Sequence, residues 1–110
     1  MNPKMIFEEK ISKHIQQNPD LGKEINATYL FNITGDQGGA WSIYLSDQQN
    51  EVKFETAQTP NCIITMADKD LVNLVQGTLN PQLAFMTGKL KVKGDLGLAL
   101  KLGKILNSGK

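Results

Sequence analysis

The 110-residue chain has a single cysteine, Cys62, and a single histidine, His14. One thiol excludes an intramolecular disulfide and suits a reducing compartment. One imidazole leaves a histidine-based metal cluster or triad without a second ring, and no CxxC, HExxH or P-loop occurs. Net charge is also scarce: 12 basic and 11 acidic residues leave +1 at pH 7. Such a chain has no bulk field for nucleic acid or an anionic membrane, although local patches are compatible with that total. Long apolar runs are missing too, and the opening MNPKMIFEEK carries acidic residues where a signal peptide needs an unbroken core. A soluble, cytoplasmic setting is the expectation. Without internal repeats or low-complexity segments, residues 1–110 read as one domain, long enough to bury somewhat under about 70% of its unfolded surface.

What is present alternates between two periodicities. Asn2 and Pro3 form a helix cap and first turn, and Phe7, Ile11 and Ile15 recur at four-residue spacing, giving an amphipathic helix that stops before Pro19. Residues 20–24 add a turn. From Ala27 to Thr34 the β-branched and aromatic residues make a strand with Tyr29, Phe31 and Ile33 on one face. After a turn at 36–39, Trp41, Ile43 and Leu45 alternate with Ser42, Tyr44 and Ser46 in an antiparallel partner. Val52 and Phe54 alternate with charges in a third strand; Cys62, Ile64 and Met66 share one face of a fourth. Asp68 starts a helix whose inner stripe is Leu71, Leu74 and Val75 and which ends at Gly77. Four meander strands followed by helices favour α+β over a doubly wound sheet.

The stretch from Gly77 to Leu106 organises the rest. Asn80-Pro81 starts a short helix over 81–87, Gly88 ends it, and Lys89-Leu90-Lys91-Val92-Lys93 alternates as a strand with one wet face. Asp95 caps a last helix over 96–106 whose apolar residues spread over roughly 220°, against the stripe of somewhat more than 100° that one packing partner needs. Burial between two elements or a dimer contact would also explain that width.

The order Leu74-Val75-x-Gly77, Asn80-Pro81-Gln82-x-Ala84-Phe85, Gly88-Lys89-Leu90-Lys91, Gly94-Asp95-x-Gly97 and Leu100-Lys101-Leu102 resembles the C-terminal half of the sterol carrier protein type two domain. The remainder fits that pattern in length and order. The resemblance implies an α+β fold, a five-stranded, mostly antiparallel sheet with helices packed on one face enclosing an apolar tunnel, and a non-enzymatic lipid-binding and transfer module. Many peroxisomal members end in a tripeptide resembling Ser-Lys-Leu; this chain ends Asn107-Ser108-Gly109-Lys110, a departure that puts a peroxisomal address in doubt.

The residues point the same way. One sheet face gathers Phe31, Ile33, Trp41, Ile43, Cys62, Ile64, Met66, Leu90 and Val92, and Leu74, Phe85, Met86, Leu98, Leu102, Ile105 and Leu106 come from helices. A cavity lined by these has almost nothing with which to orient a polar metabolite, and so selects by shape and apolar area. The expected function is a monomeric, non-catalytic carrier of a long-chain fatty acid, acyl-CoA, sterol or phospholipid, with no cofactor, no metal and no nucleic-acid partner. The same residues closing into a filled core is the plain alternative, and a docking module that uses the last helix to bind itself or an enzyme is another. A nucleophilic Cys62 paired with His14 is a third; a lone cysteine alternating with Ile64 and Met66 is more simply a small buried hydrophobe. The Lys89, Lys91, Lys93 row, followed by Lys101 and Lys104, reads most simply as a solvated face. Its functional reading is a weak contact with anionic headgroups, about 1 kcal/mol per surface lysine.

Overall fold

In the computed structural model, which describes residues 1–106, the first helix begins where Asn2 and Pro3 place it. The Asn107-Ser108-Gly109-Lys110 end, where a targeting tripeptide would stand, lies outside the described residues. Asn2 Oδ1 accepts from the Met5 amide at 2.8 Å, satisfying a donor that has no partner within the helix. α1 (Pro3–Met5), a π-helical stretch (Ile6–Ile11) and α2 (Ser12–Gln17) follow without interruption. The wider π turn brings Ile6 as well as Phe7, Ile11 and Ile15 onto the buried side. The helix stops before Pro19. α3 (Asp20–Ile25) comes next and ends at Asn26, whose φ of 48° lies in the left-handed region. Gly22 lets α3 lie against the turn after the second strand, because a Cβ there would run into the Ser46 carbonyl and the Asn50 amide.

The five strands are β1 (Ala27–Thr34), β2 (Gly39–Leu45), β3 (Asn50–Lys53), β4 (Cys62–Ala67) and β5 (Leu90–Gly94), in the spatial order β3-β2-β1-β4-β5. Three neighbouring pairs are antiparallel and one, β1 with β4, is parallel. The expected mostly antiparallel α+β sheet is therefore present, but the four-strand meander is not. After β3 the chain crosses the sheet and lays β4 beside β1, with Tyr29 opposite Cys62 and Phe31 opposite Ile64. Alternation specifies which face a strand buries and not which strand it neighbours. The crossing segment covers the outer face: Ser42, expected on the wet side, is fully buried, donates to the Glu55 carbonyl at 2.8 Å and accepts from the Ala57 amide at 2.9 Å. β3 ends at Lys53, and Phe54, expected to alternate inward, is exposed and packs at the sheet edge with its ring 5.1 Å from that of Trp41.

The inner face packs beneath the first helix. Phe7 sits 5.1 Å from Phe31 and 4.9 Å from Trp41, ring centre to ring centre, and Trp41 Nε1 donates to Glu8 at 3.1 Å. Tyr29 continues the aromatic row, 6.1 Å from Phe31.

α4 (Asp68–Gln76) ends at Gly77 with φ 83°, and α5 (Pro81–Met86) is capped by Asn80, whose side chain accepts from the Gln82 and Leu83 amides. The last helix differs from expectation. It is two segments, α6 (Leu96–Ala99) and α7 (Leu102–Leu106). Across the break the bonds shorten to three-residue spans, Lys101 N to Leu98 O and Lys104 N to Lys101 O, each 3.1 Å. The over-wide apolar arc is thereby divided: α6 buries Leu98 while α7 buries Leu102, Ile105 and Leu106, and Leu96 and Leu100 stay outside.

Candidate functional site

A cavity of about 500 Å³ lies between α5, β5 and the α6–α7 segment. That is within the roughly 300–1,000 Å³ range of small-molecule sites. Its walls are Pro81 and Phe85 from α5, Leu90 and Val92 from β5, and Leu96, Ala99, Leu100 and Leu102 from the C-terminal segment. Gly97 and Gly103 contribute no side chain, and Asn80 and Gln82 supply the polar groups. No lining side chain is ionisable. Phe85, Leu96 and Leu100 are exposed, so the cavity opens to solvent at their side rather than forming a sealed void.

The α6–α7 wall is held at several points. Asp95 Oδ1 accepts from the Gly97 amide at 2.8 Å, starting α6, while the Asp95 amide donates to the Asn61 carbonyl at 3.0 Å. The buried Tyr29 hydroxyl donates to the Leu98 carbonyl at 2.6 Å. At the far end His14 Nε2 bonds the Lys104 carbonyl at 2.7 Å, and the Lys104 ammonium meets Glu24 at 2.7 Å. A donor at Nε2 leaves Nδ1 free to accept from Asn18 Nδ2, 3.3 Å away. His14, which the sequence offered as a partner for a nucleophilic Cys62, thus fastens α7 to α2.

The electrostatics oppose nucleophilic chemistry. Burial first, and the Asp95 carboxylate second, push the Cys62 thiol up to about 11, so the thiolate is scarce at neutral pH. Burial likewise raises the Tyr29 phenol. The Lys104 hydrogen bond and charge hold the Glu24 carboxyl below its usual range. Cys62 and His14 occupy separate places, one in β4 and the other against α7.

Of the residues expected to line a cavity, Phe85, Leu90, Val92 and Leu102 are in its wall. Phe31, Ile33, Trp41, Ile43, Cys62, Ile64, Met66 and Leu74 lie in the contiguous core, together with Leu98, Ile105 and Leu106. Met86 projects from α5 and is 75% exposed. The wall residues that sequence reasoning missed are Asn80, Pro81, Gln82, Leu96, Gly97, Ala99, Leu100 and Gly103. For Leu96, Gly97, Ala99, Leu100 and Gly103 the signal was the pairing of small residues with leucines in a segment too apolar for one packing partner; Asn80, Pro81 and Gln82 read only as a helix start.

A family model for the SCP-2 sterol transfer family matches residues 8–107. The chain belongs to that family. Its SCP-2 domain is 38% identical over 89 residues to hydroxysteroid dehydrogenase-like protein 2 of Pongo abelii, covering 80% of this chain and 21% of the relative. It is 34% identical over 110 residues to sterol carrier protein 2 of Gallus gallus, covering 96% of this chain and 20% of that one. The chain thus spans about a fifth of the length of the curated relatives it matches. Among solved structures, sterol carrier protein domain 2 of Helicoverpa armigera superposes with a TM-score of 0.73 at 29% identity, covering 97% of this chain and 91% of that chain. The palmitate complex of sterol carrier protein 2 from Aedes aegypti gives 0.72 at 24% identity, covering 96% and 94%. The SCP-2 domain is a lipid-binding fold, and the mixed five-stranded sheet is its sheet. Among the described residues no helix is long and apolar enough to cross a membrane.

Proposed function

We propose that this SCP-2 domain carries one long-chain lipid, its acyl chain lying between α5, β5 and α6–α7, and performs no chemistry on it. One observation carries the reading: a cavity of about 500 Å³ whose walls, apart from the neutral amides of Asn80 and Gln82, are aliphatic, aromatic or glycine and hold no acid, base or nucleophile. An acyl chain of roughly fourteen methylenes gains about 11 kcal/mol gross at 0.8 kcal/mol each, before ordering and association remove much of it. Asn80 and Gln82 are the wall side chains that can hydrogen-bond a headgroup, and both are neutral. The palmitate bound by the Aedes aegypti relative supports a fatty acid as the first ligand to try. Docking through the last helix is disfavoured, since Leu98, Leu102, Ile105 and Leu106 are used within this chain's own core.

The test is thermal unfolding with palmitate and with a short-chain acid of the same charge. Palmitate is expected to raise Tm in proportion to its saturation, and the short acid to leave it unchanged. Equal Tm values under both conditions contradict the carrier reading.

A further inference from the structure

The two edges of the sheet are finished differently. β3 closes one side in four residues, its Lys53 meets Glu51 at 4.0 Å, and the Asn50 side-chain amide at its start donates to the Ile15 and Pro19 carbonyls. That edge is short and neutral. β5 closes the other side, and no described strand pairs with its outer edge, so alternate residues of Leu90–Gly94 present backbone N–H and C=O groups without a ladder partner. Leu90 and Val92 turn to the inner face, where they are cavity wall; Lys91 and Lys93 turn to the outer face and are exposed, as is Lys89 just before the strand. Nothing on that face answers their charge. Across the sheet Lys91 stands beside Thr65 and then Asn32, Lys93 beside Ile63 and then Leu30, and no ion pair among the described residues involves any of the three lysines. Lysines two residues apart on a strand stand about 7 Å from each other, inside the screening length of about 8 Å at physiological salt, so the row repels itself. Charge is segregated along the chain as well: residues 1–76 hold six lysines against ten acidic side chains, residues 77–106 five lysines and one acid, Asp95. A lysine row on an edge strand guards it against pairing with like-charged edges. The same row is complementary to a strand of opposite charge.

We propose that the free edge of β5 takes an extended acidic segment of a partner protein as a sixth strand. Main-chain hydrogen bonds hold the segment to β5, its acidic side chains at alternate positions pair across the edge with Lys89, Lys91 and Lys93, and its uncharged ones continue the inner face beyond Leu90 and Val92. The occupant is not a second copy, because antiparallel pairing of β5 with β5 sets two lysine rows side by side. Strand addition needs the edge and its charge rather than a lipid in the cavity, and stands apart from the carrier reading.

The experiment is an amide NMR titration of the whole chain with a heptapeptide alternating glutamate and valine, beside one of the same composition with its glutamates grouped and one alternating lysine and valine. Saturable shifts and slowed amide exchange at residues 89–94 are expected with the alternating acidic peptide alone, and binding is expected to weaken as salt is raised. Replacing the three lysines together (Lys89→Gln, Lys91→Gln, Lys93→Gln) is expected to weaken it on the order of 10-fold, about twofold for each cross-strand charge pair. Unchanged amide exchange in β1 and β4 of that variant separates lost binding from lost folding. Of two peptides methylated on the glutamate or on the valine backbone nitrogens, one is expected to lose binding and the other to keep it, whereas a purely ionic contact would spare both. No saturable shift in β5, equal binding of the grouped peptide, equal binding of the two methylated peptides, or parental affinity in the triple variant would overturn the proposal. Shifts in β5 on raising the protein concentration alone would overturn it too, by assigning the edge to a second copy.

Discussion

Replacing Gly103 by leucine takes room from the cavity without touching the core. Gly103 is in the wall, and a Cβ built on it meets no atom within 4 Å, so a larger side chain has space and displaces only what occupies that space. The four side-chain carbons of leucine exclude about four methylenes of a bound chain. At about 0.8 kcal/mol each, the loss is roughly 3 kcal/mol, or on the order of 100-fold in Kd. The unliganded protein should move the other way, because glycine within a helix costs up to about 1 kcal/mol relative to a good helix former. Titration calorimetry with palmitate and a melt of the unliganded chain read the two effects separately. A Gly103→Leu variant that binds palmitate as tightly as the parent would refute the position assigned to the ligand. One that melts several degrees lower would refute the open space at Gly103.

Other perturbations separate the wall from the core. Tyr29→Phe strips the Leu98 carbonyl of its buried partner and is expected to cost about 1–3 kcal/mol in urea unfolding, with faster amide exchange in α6. Ile64→Ala, in the filled core, should cost about 2–5 kcal/mol, whereas Leu100→Ala, 81% exposed, should stay within about 0.5 kcal/mol while weakening palmitate binding. The Cys62 thiol is held up to about 11 in the folded chain, above the unfolded value near 8.5. Its contribution is therefore complete below about pH 8.5 and lost as pH climbs through about 11, with Tyr29 raised in the same direction. Stability measured against pH should fall across that alkaline window, less steeply in Cys62→Ala, and a thiol reagent should label the native protein slowly at pH 8.

Local signals in the sequence carried much of the fold. Asn2-Pro3, Asn80-Pro81 and Asp95 each start a helix through backbone bonds that depend on neighbours alone, and the inward faces of β1, β2 and β4 follow from alternation. Strand order did not follow, because β4 pairs in parallel with β1 across an intervening hairpin, and nothing local to residues 62–67 encodes that partner. Ser42 is buried because a distant segment folds over it, and its hydroxyl serves the Glu55 and Ala57 backbone. The cavity was legible as apolar chemistry but not as a place. A pattern of leucines and phenylalanines reads alike whether the space between them is filled, as around Phe31 and Ile64, or open, as between Phe85 and Leu102. What opens it is the pair Gly97 and Gly103 together with the break after Ala99, which turns Leu98 inward and leaves Leu100 at the mouth.

The most direct test of where the lipid sits is a palmitate titration followed by methyl NMR. Saturable shifts are expected for Leu90, Val92, Leu96, Leu100 and Leu102, with Ile43 and Ile64 nearly still. Shifts concentrated on Ile43 and Ile64, or no saturable shift at any of these methyls, would contradict a ligand held between α5, β5 and the C-terminal helices.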